Sequence, residues 1–153
     1  MSLLAKDYLK AIRDIKELIK VTDDEITESK ASVYNLHSLD TENEKVSGGK
    51  KKDISKKLAS TENVIRKGEQ KKARLIEMRE EARERIGALP DIEAQKILIK
   101  YCIIGDSLKK IQVDLNYSKS GFFKKLKWAF KKFEAAYGDW LEDLQVFDKW
   151  FLE

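Results

Sequence analysis

The 153-residue chain is 38% charged and 42% apolar, carries a net charge of +4, and has one proline, 7 glycines and one cysteine. That length holds one domain, or one small domain with an extension, and so little proline and glycine excludes an all-β design built on many tight turns. A lone cysteine excludes an intrachain disulfide, and no apolar leader or run of about 18 apolar residues occurs, so a reducing cytoplasm is the expected home and no membrane contact is expected.

The first predicted element is a long amphipathic helix. Tyr8, Ile12, Ile15, Ile19, Thr22, Ile26, Ser29, Val33 and Leu36 alternate spacings of 4 and 3, which lines one narrow seam. A polar break is expected over about 38–52, holding Gly48-Gly49 and the lysine run 50–52. A second seam follows through Ile54, Leu58, Thr61, Ile65, Gly68, Lys72, Leu75, Arg79, Ala82, Ile86 and Leu89, and Pro90 ends it. Residues 1–89 therefore predict an antiparallel helical hairpin, a coiled coil. Thr22, Ser29, Thr61, Gly68, Lys72 and Arg79 weaken that seam, whose burial must offset the ordering entropy of about 80 residues. Self-association through Ile12, Ile15, Ile19, Ile26, Ile54, Leu58, Ile65 and Leu75 would supply the shortfall. A homo-oligomer is expected, a dimer first.

Residues 90–137 predict a helix-turn-helix. A helix from Asp91 through Ile97, Leu98 and Tyr101 stops at Gly105, and a short one follows from Ser107 to Leu115. Asn116-Tyr117-Ser118 makes a turn, with Ser118 placed to cap a final helix. Between Ser107 and Lys132 stand eight lysines against one acid, Asp114. A basic segment inside a balanced chain points to double-stranded DNA as the partner. On helical spacing Phe122, Leu126, Ala129 and Phe133 form the buried stripe, and Lys119, Ser120, Phe123, Lys124 and Lys127 face outward. Lys119 and Ser120, beside the cap Ser118, are placed for base edges; Lys124, Lys127 and Lys131 are placed for phosphates, and Lys109 and Lys110 add charge from the preceding helix. Phe123 has two open readings, contact with a thymine methyl group or packing on the C-terminal aromatic helix. The outward face lacks arginine, asparagine and glutamine, so modest base specificity is expected.

Residues 138–153 predict a short acidic helix with Trp140, Leu144, Phe147, Trp150 and Phe151 at 3–4 spacing. It either folds back on the helix-turn-helix core or docks a partner.

The order Leu98, Tyr101, Gly105, Ser107, Ile111, Leu115, Ser118, Phe122, Leu126 and Ala129 resembles region 4 of bacterial sigma factors. With Lys45-Val46-Ser47-Gly48 in the preceding hairpin, the chain also resembles a family of phage-encoded proteins of Gram-positive bacteria that join a helical hairpin to such a C-terminus. The resemblance implies kinship with ArpU/RinA-like late-transcription regulators, hence a DNA-binding regulator that also contacts RNA polymerase. It covers most of the chain and fades over the aromatic tail.

No catalytic chemistry is expected. Gly48-Gly49-Lys50 lacks the spacing and preceding strand of a phosphate loop, His37 reads as a loop residue without a second metal ligand, and Cys102 sits among isoleucines as a small core residue. No cofactor or metal is expected. Two alternative functions stay open: a small terminase-like DNA-packaging adaptor, which would form a ring, and a protein-interaction module with a degenerate helix-turn-helix. The expected fold class throughout is all-α.

Overall fold

The computed structural model describes residues 5–42 and 48–147, with side chains over 5–39 and 52–144. Among them are five α-helices and no strand: α1 (Ala5–Glu42), α2 (Gly48–Gly87), α3 (Ile92–Leu98), α4 (Leu108–Asp114) and α5 (Lys119–Phe147). A π-helical segment, Ile99–Ile104, continues directly from α3. The protein is all-α.

Each boundary in the C-terminal half has a local cause. Pro90 lacks the amide that would extend α2, and Asp91 then caps α3, its Oδ1 accepting the Ala94 amide at 3.1 Å. Gly105 closes the π segment in the left-handed region (φ 78°), where its amide and that of Asp106 both donate to the Lys100 carbonyl at 3.1 and 3.0 Å. Ser107 caps α4, accepting the Lys110 amide at 3.2 Å, and Asn116 turns the chain at φ 59°. Ser118 then caps α5 as its spacing predicts, with Oγ accepting the Gly121 amide at 3.1 Å.

Two sequence expectations need correction. α1 runs to Glu42 and α2 begins at Gly48, so most of the polar break expected over 38–52 is helical. That stretch contains no proline, and leucine, glutamate and lysine are good helix formers whatever their polarity. His37, expected in a loop, stands on α1 for the same reason. The Lys45-Val46-Ser47 stretch, Trp150 and Phe151 lie outside the described residues. The helix expected over 138–153 follows a break in α5 at Tyr137 (φ −128°, ψ 17°) and runs to Phe147, where the described residues end.

Packing also divides the chain elsewhere than at residue 90. One compact unit comprises residues 1–17 and 77–153; the other comprises 18–76. In the first, Ile12 of α1, Ile86 of α2, Ile97 of α3, Ile111 of α4 and Phe133 of α5 are all 0% exposed. Tyr8 stacks on Phe133 with ring centroids 5.7 Å apart and meets the edge of Trp140 at 5.1 Å. The Tyr137 hydroxyl donates to the Arg85 carbonyl at 2.6 Å, and the Arg85 guanidinium lies 3.6 Å over the Trp140 ring. The resumed end of α5 thus folds back on this core through Trp140 and the fully buried Leu141.

The N-terminal part of α1 and the C-terminal part of α2 also fix the C-terminal end of the π segment. Arg13 Nη1 donates to the carbonyls of Tyr101 and Asp106 at 2.6 and 2.7 Å, Lys16 Nζ to that of Ile104 at 2.5 Å, and Arg79 Nη2 to that of Ile103 at 2.6 Å. A helix leaves its last carbonyls unpaired and partly negative, and three cations satisfy them here.

In the second unit the seam positions behave as their spacing predicts: Thr22, Ile26 and Leu75 are buried, and Ile19, Val33, Ile54, Leu58 and Ile65 are half-buried. Asp23 pairs with Lys72 at 2.6 Å and Lys30 with Glu69 at 3.2 Å, so α1 and α2 run in opposite directions through this unit. A Cβ on Gly68 would lie 2.9 Å from Ile26 Cγ1, which marks the close approach that glycine permits. Among the residues expected to join copies, Ile12, Ile15, Ile26 and Leu75 are at most 6% exposed within one chain. Their apolar surface is already covered, so a second copy cannot use it while this packing holds.

Candidate nucleic-acid interface

The predicted basic face lies on α4, the turn Leu115–Ser118 and the start of α5, all within the first unit. Phe122 (1% exposed), Leu126 (7%), Ala129 (0%) and Phe133 (0%) point inward as the spacing requires. Phe130 joins them against Tyr101, with ring centroids 5.5 Å apart. This burial fixes the rotation of α5 and turns Lys119, Ser120, Phe123, Lys124, Lys127 and Lys131 outward, all exposed. Lys109 and Lys110 of α4 are exposed beside them.

The predicted residues divide by what they already touch. The Ser118 hydroxyl is committed to the α5 cap. Lys110 pairs with Asp106 at 3.3 Å, and Asp106 also lies 3.9 Å from Lys100. Lys125 pairs with Glu93 at 3.2 Å and stands 4.3 Å over the Trp128 ring, which Lys132 approaches at 5.7 Å. Asp114, the one acid on this segment, pairs with Lys100 at 3.4 Å. The nearby acids Glu93, Asp106 and Asp114 are therefore all matched. Among the described residues Lys109, Lys119, Lys124, Lys127 and Lys131 form no ion pair, and they leave a connected positive surface.

Beside that surface opens a cleft of about 520 Å³, lined by Leu108, Lys109, Gln112, Val113, Lys119, Phe122 and Phe123. Phe123 is 43% exposed, with its ring 6.0 Å from that of Phe122; Val113 is 62% exposed. The reading of Phe123 as packing on the C-terminal aromatic helix falls largely on Phe147, Trp150 and Phe151, whose side chains lie outside the described residues. The sequence reading missed Gln112 and Val113 as members of this face. The signal was present: Lys109, Gln112 and Val113 share an i, i+3, i+4 stripe on α4, turned away from the buried Ile111.

Nothing in this unit offers nucleophilic or metal chemistry among the described residues. Burial pushes the Cys102 thiol well above its ordinary range, against the opposing effect of Arg13, and holds it in the unreactive protonated form. Burial likewise raises the Tyr8 and Tyr101 phenols. Among the described residues no group of three or more histidine, cysteine or acidic side chains is placed to hold a metal ion. No helix in the described residues is long and apolar enough to cross a membrane.

No curated protein and no solved structure matches the chain. Residues 35–134 match a family described as a protein of unknown function, DUF1492. The match runs from the last turns of α1 through most of α5 and takes in the whole basic face. It spans about two-thirds of the sequence, and the chain belongs to the DUF1492 family.

Proposed function

We propose that the protein is a DNA-binding transcription regulator of phage or prophage origin, with α4 and α5 forming a sigma region 4-like helix-turn-helix. The observation that carries this reading is the set of five lysines, at 109, 119, 124, 127 and 131, that face solvent without ion pairs around the capped start of α5. A helix N-terminus carries partial positive charge and free amides, and adding unpaired lysines to it favours phosphate oxygens. Lys119 and Ser120, in the first turn of α5, meet base edges, while Lys124, Lys127 and Lys131 meet phosphates. The sigma-like order of α3 to α5 makes RNA polymerase the second partner of the proposal. A homodimer is the proposed assembly, since the second unit leaves Ile19, Ile54, Leu58 and Ile65 half-exposed in a single chain.

The test is DNA retention as a function of salt. Each phosphate contact contributes a slope of about −0.9 in log K against log salt, so the wild type, with Lys109, Lys124, Lys127 and Lys131 on phosphates, should show a slope of roughly −3 to −4. The triple variant Lys119→Glu/Lys124→Glu/Lys127→Glu should bind at least 100-fold more weakly at about 100 mM salt, with a slope shallower by roughly 2 units. Equal retention by wild type and variant would overturn the DNA reading and leave the helices as a protein-interaction module. Light scattering on the same samples fixes the assembly: a dimer fits a regulator, and a ring of many copies fits a packaging adaptor.

A further inference from the structure

Phe123 and Val113 stand outside the buried core, Phe123 touching it only through its contact with the Phe122 ring. The α5 core stripe is complete without Phe123, and Ile111 already anchors α4, at 0% exposure. Yet both stand in the open on the face that carries the unpaired lysines, and both line the same cleft as Lys109, Lys119 and Gln112. An apolar patch on a surface meant for DNA would be a liability unless the DNA supplies something apolar. In the major groove of unmodified DNA one base alone does so: thymine, through its C5-methyl group. Its partner adenine presents N7 and the N6 amino group, the pair of sites that a glutamine amide reads bidentately. No arginine occurs between Ser107 and Lys132, so the commonest bidentate reader of guanine is missing from this segment.

We propose that the α4–α5 cleft reads A·T pairs in the major groove, with Phe123 and Val113 receiving thymine methyl groups and the Gln112 amide placed for the adenine edge. The proposal rests on the DNA-binding reading above and adds the class of sequence bound. Lys109, on the same cleft, holds a flanking phosphate and is indifferent to sequence. Selectivity is then modest per base pair and accumulates along an A·T-rich site.

Replacing thymine by uracil removes the methyl group and leaves the pairing edge unchanged. The probes are three duplexes of about 20 base pairs, two helical turns: alternating A·T, its uracil counterpart and alternating G·C. Wild type should bind the thymine duplex about fourfold more tightly for each methyl group buried, measured against the uracil duplex at about 100 mM salt. Phe123→Ala should narrow the thymine-to-uracil ratio by about fourfold, the share of one methyl group, with an unchanged salt slope. Val113→Ser, at a more exposed position, should narrow the same ratio and serves if Phe123→Ala does not fold. Gln112→Ala should reduce the preference for A·T over G·C without altering the thymine-to-uracil ratio.

Equal wild-type affinity for the thymine and uracil duplexes overturns this inference and leaves DNA binding standing. Discrimination that is undiminished in both Phe123→Ala and Val113→Ser overturns it as well. Failure to bind any of the three duplexes overturns the inference together with the DNA-binding reading, and an acidic peptide with an apolar anchor becomes the occupant that fits a lysine-flanked cleft.

Discussion

Residues 1–17 and 77–153 bury at least one side chain completely from every one of the five helices, whereas the described side chains of residues 18–76 are buried only at Thr22, Ile26 and Leu75. The difference follows from the number of neighbours. In the second unit each helix has one partner, so a single stripe of side chains is covered and its flanks stay wet. In the first unit the ends of α1 and α2 meet three further helices, and Tyr8 can touch rings of α5 on two sides. Two heptad seams that look continuous in sequence thus supply a packed core over one stretch and a half-wet zipper over another. The basic face stands on the better-packed unit, as a surface that must hold its lysines in register requires.

The largest expected effect tests that contrast directly. Phe133→Ala removes a fully buried ring from between Tyr8 and Tyr137 and should destabilise the protein by about 3–5 kcal/mol. Ile65→Ala in the second unit deletes a half-buried side chain and should lower stability by only about 1–2 kcal/mol. Urea melts followed by tryptophan fluorescence and by helical circular dichroism separate the two, because Trp128, Trp140 and Trp150 all lie within 77–153. Similar losses for the two variants would erase the distinction.

A smaller effect is expected where α1 grips the π segment. Arg13→Met keeps the aliphatic stem but strands the Tyr101 and Asp106 carbonyls, so a loss of about 2–3 kcal/mol is expected. Hydrogen exchange should show faster opening of the amides at Gly105 and Asp106, whose shared acceptor is the Lys100 carbonyl in that segment. A change spread evenly over α1 and α2 instead would mean that Arg13 acts through the long helices and not through the segment it caps.

These elements also show what could be read without coordinates. Local chemistry was legible: the helix starts at Asp91 and Ser107, the Ser118 cap, the Gly105 stop and the inward set from Phe122 to Phe133 all depend on residues within a few positions of one another. Contacts across roughly 90 residues were not. Arg13 and Lys16 look like ordinary surface charges on a heptad helix, and only the fold shows that they face the carbonyls of 101–106. Arg79 looked like a flaw in the second seam, because the spacing counts it as a core position and cannot show the Ile103 carbonyl that it reaches. The candidate interface was legible by charge, but its cleft was not, since a hollow arises from two helices meeting and neither helix contains it.

Within the second unit, Gly68→Ala weighs propensity against space. Alanine in a helix interior gains about 1 kcal/mol over glycine, yet its Cβ would sit 2.9 Å from Cγ1 of Ile26, an atom near the root of a buried side chain. The clash should win, giving a net loss of about 1 kcal/mol. In an Ile26→Ala background the obstacle is gone, and the same change should stabilise by up to about 1 kcal/mol. No change of sign between the two backgrounds would mean that α1 and α2 part easily here, and that the seam is looser than its spacing implies.

The smallest effect concerns the ion pairs along the same seam. Lys30 and Glu69 meet at 3.2 Å, but their side chains are 60% and 55% exposed, so water and salt screen the attraction while two long chains lose rotamer freedom. Lys30→Ala should change stability by less than about 0.5 kcal/mol, and a double-mutant cycle with Glu69→Ala should give a coupling of the same size that vanishes in about 1 M salt. The Asp23–Lys72 pair is shorter, at 2.6 Å, with Lys72 34% exposed, and should couple slightly more strongly. If either cycle exceeded about 1 kcal/mol, the half-buried isoleucines would not be the main bond of this unit. The opposed directions of α1 and α2 would then be set by charge pairing, and salt would weaken the second unit at concentrations that leave the first intact.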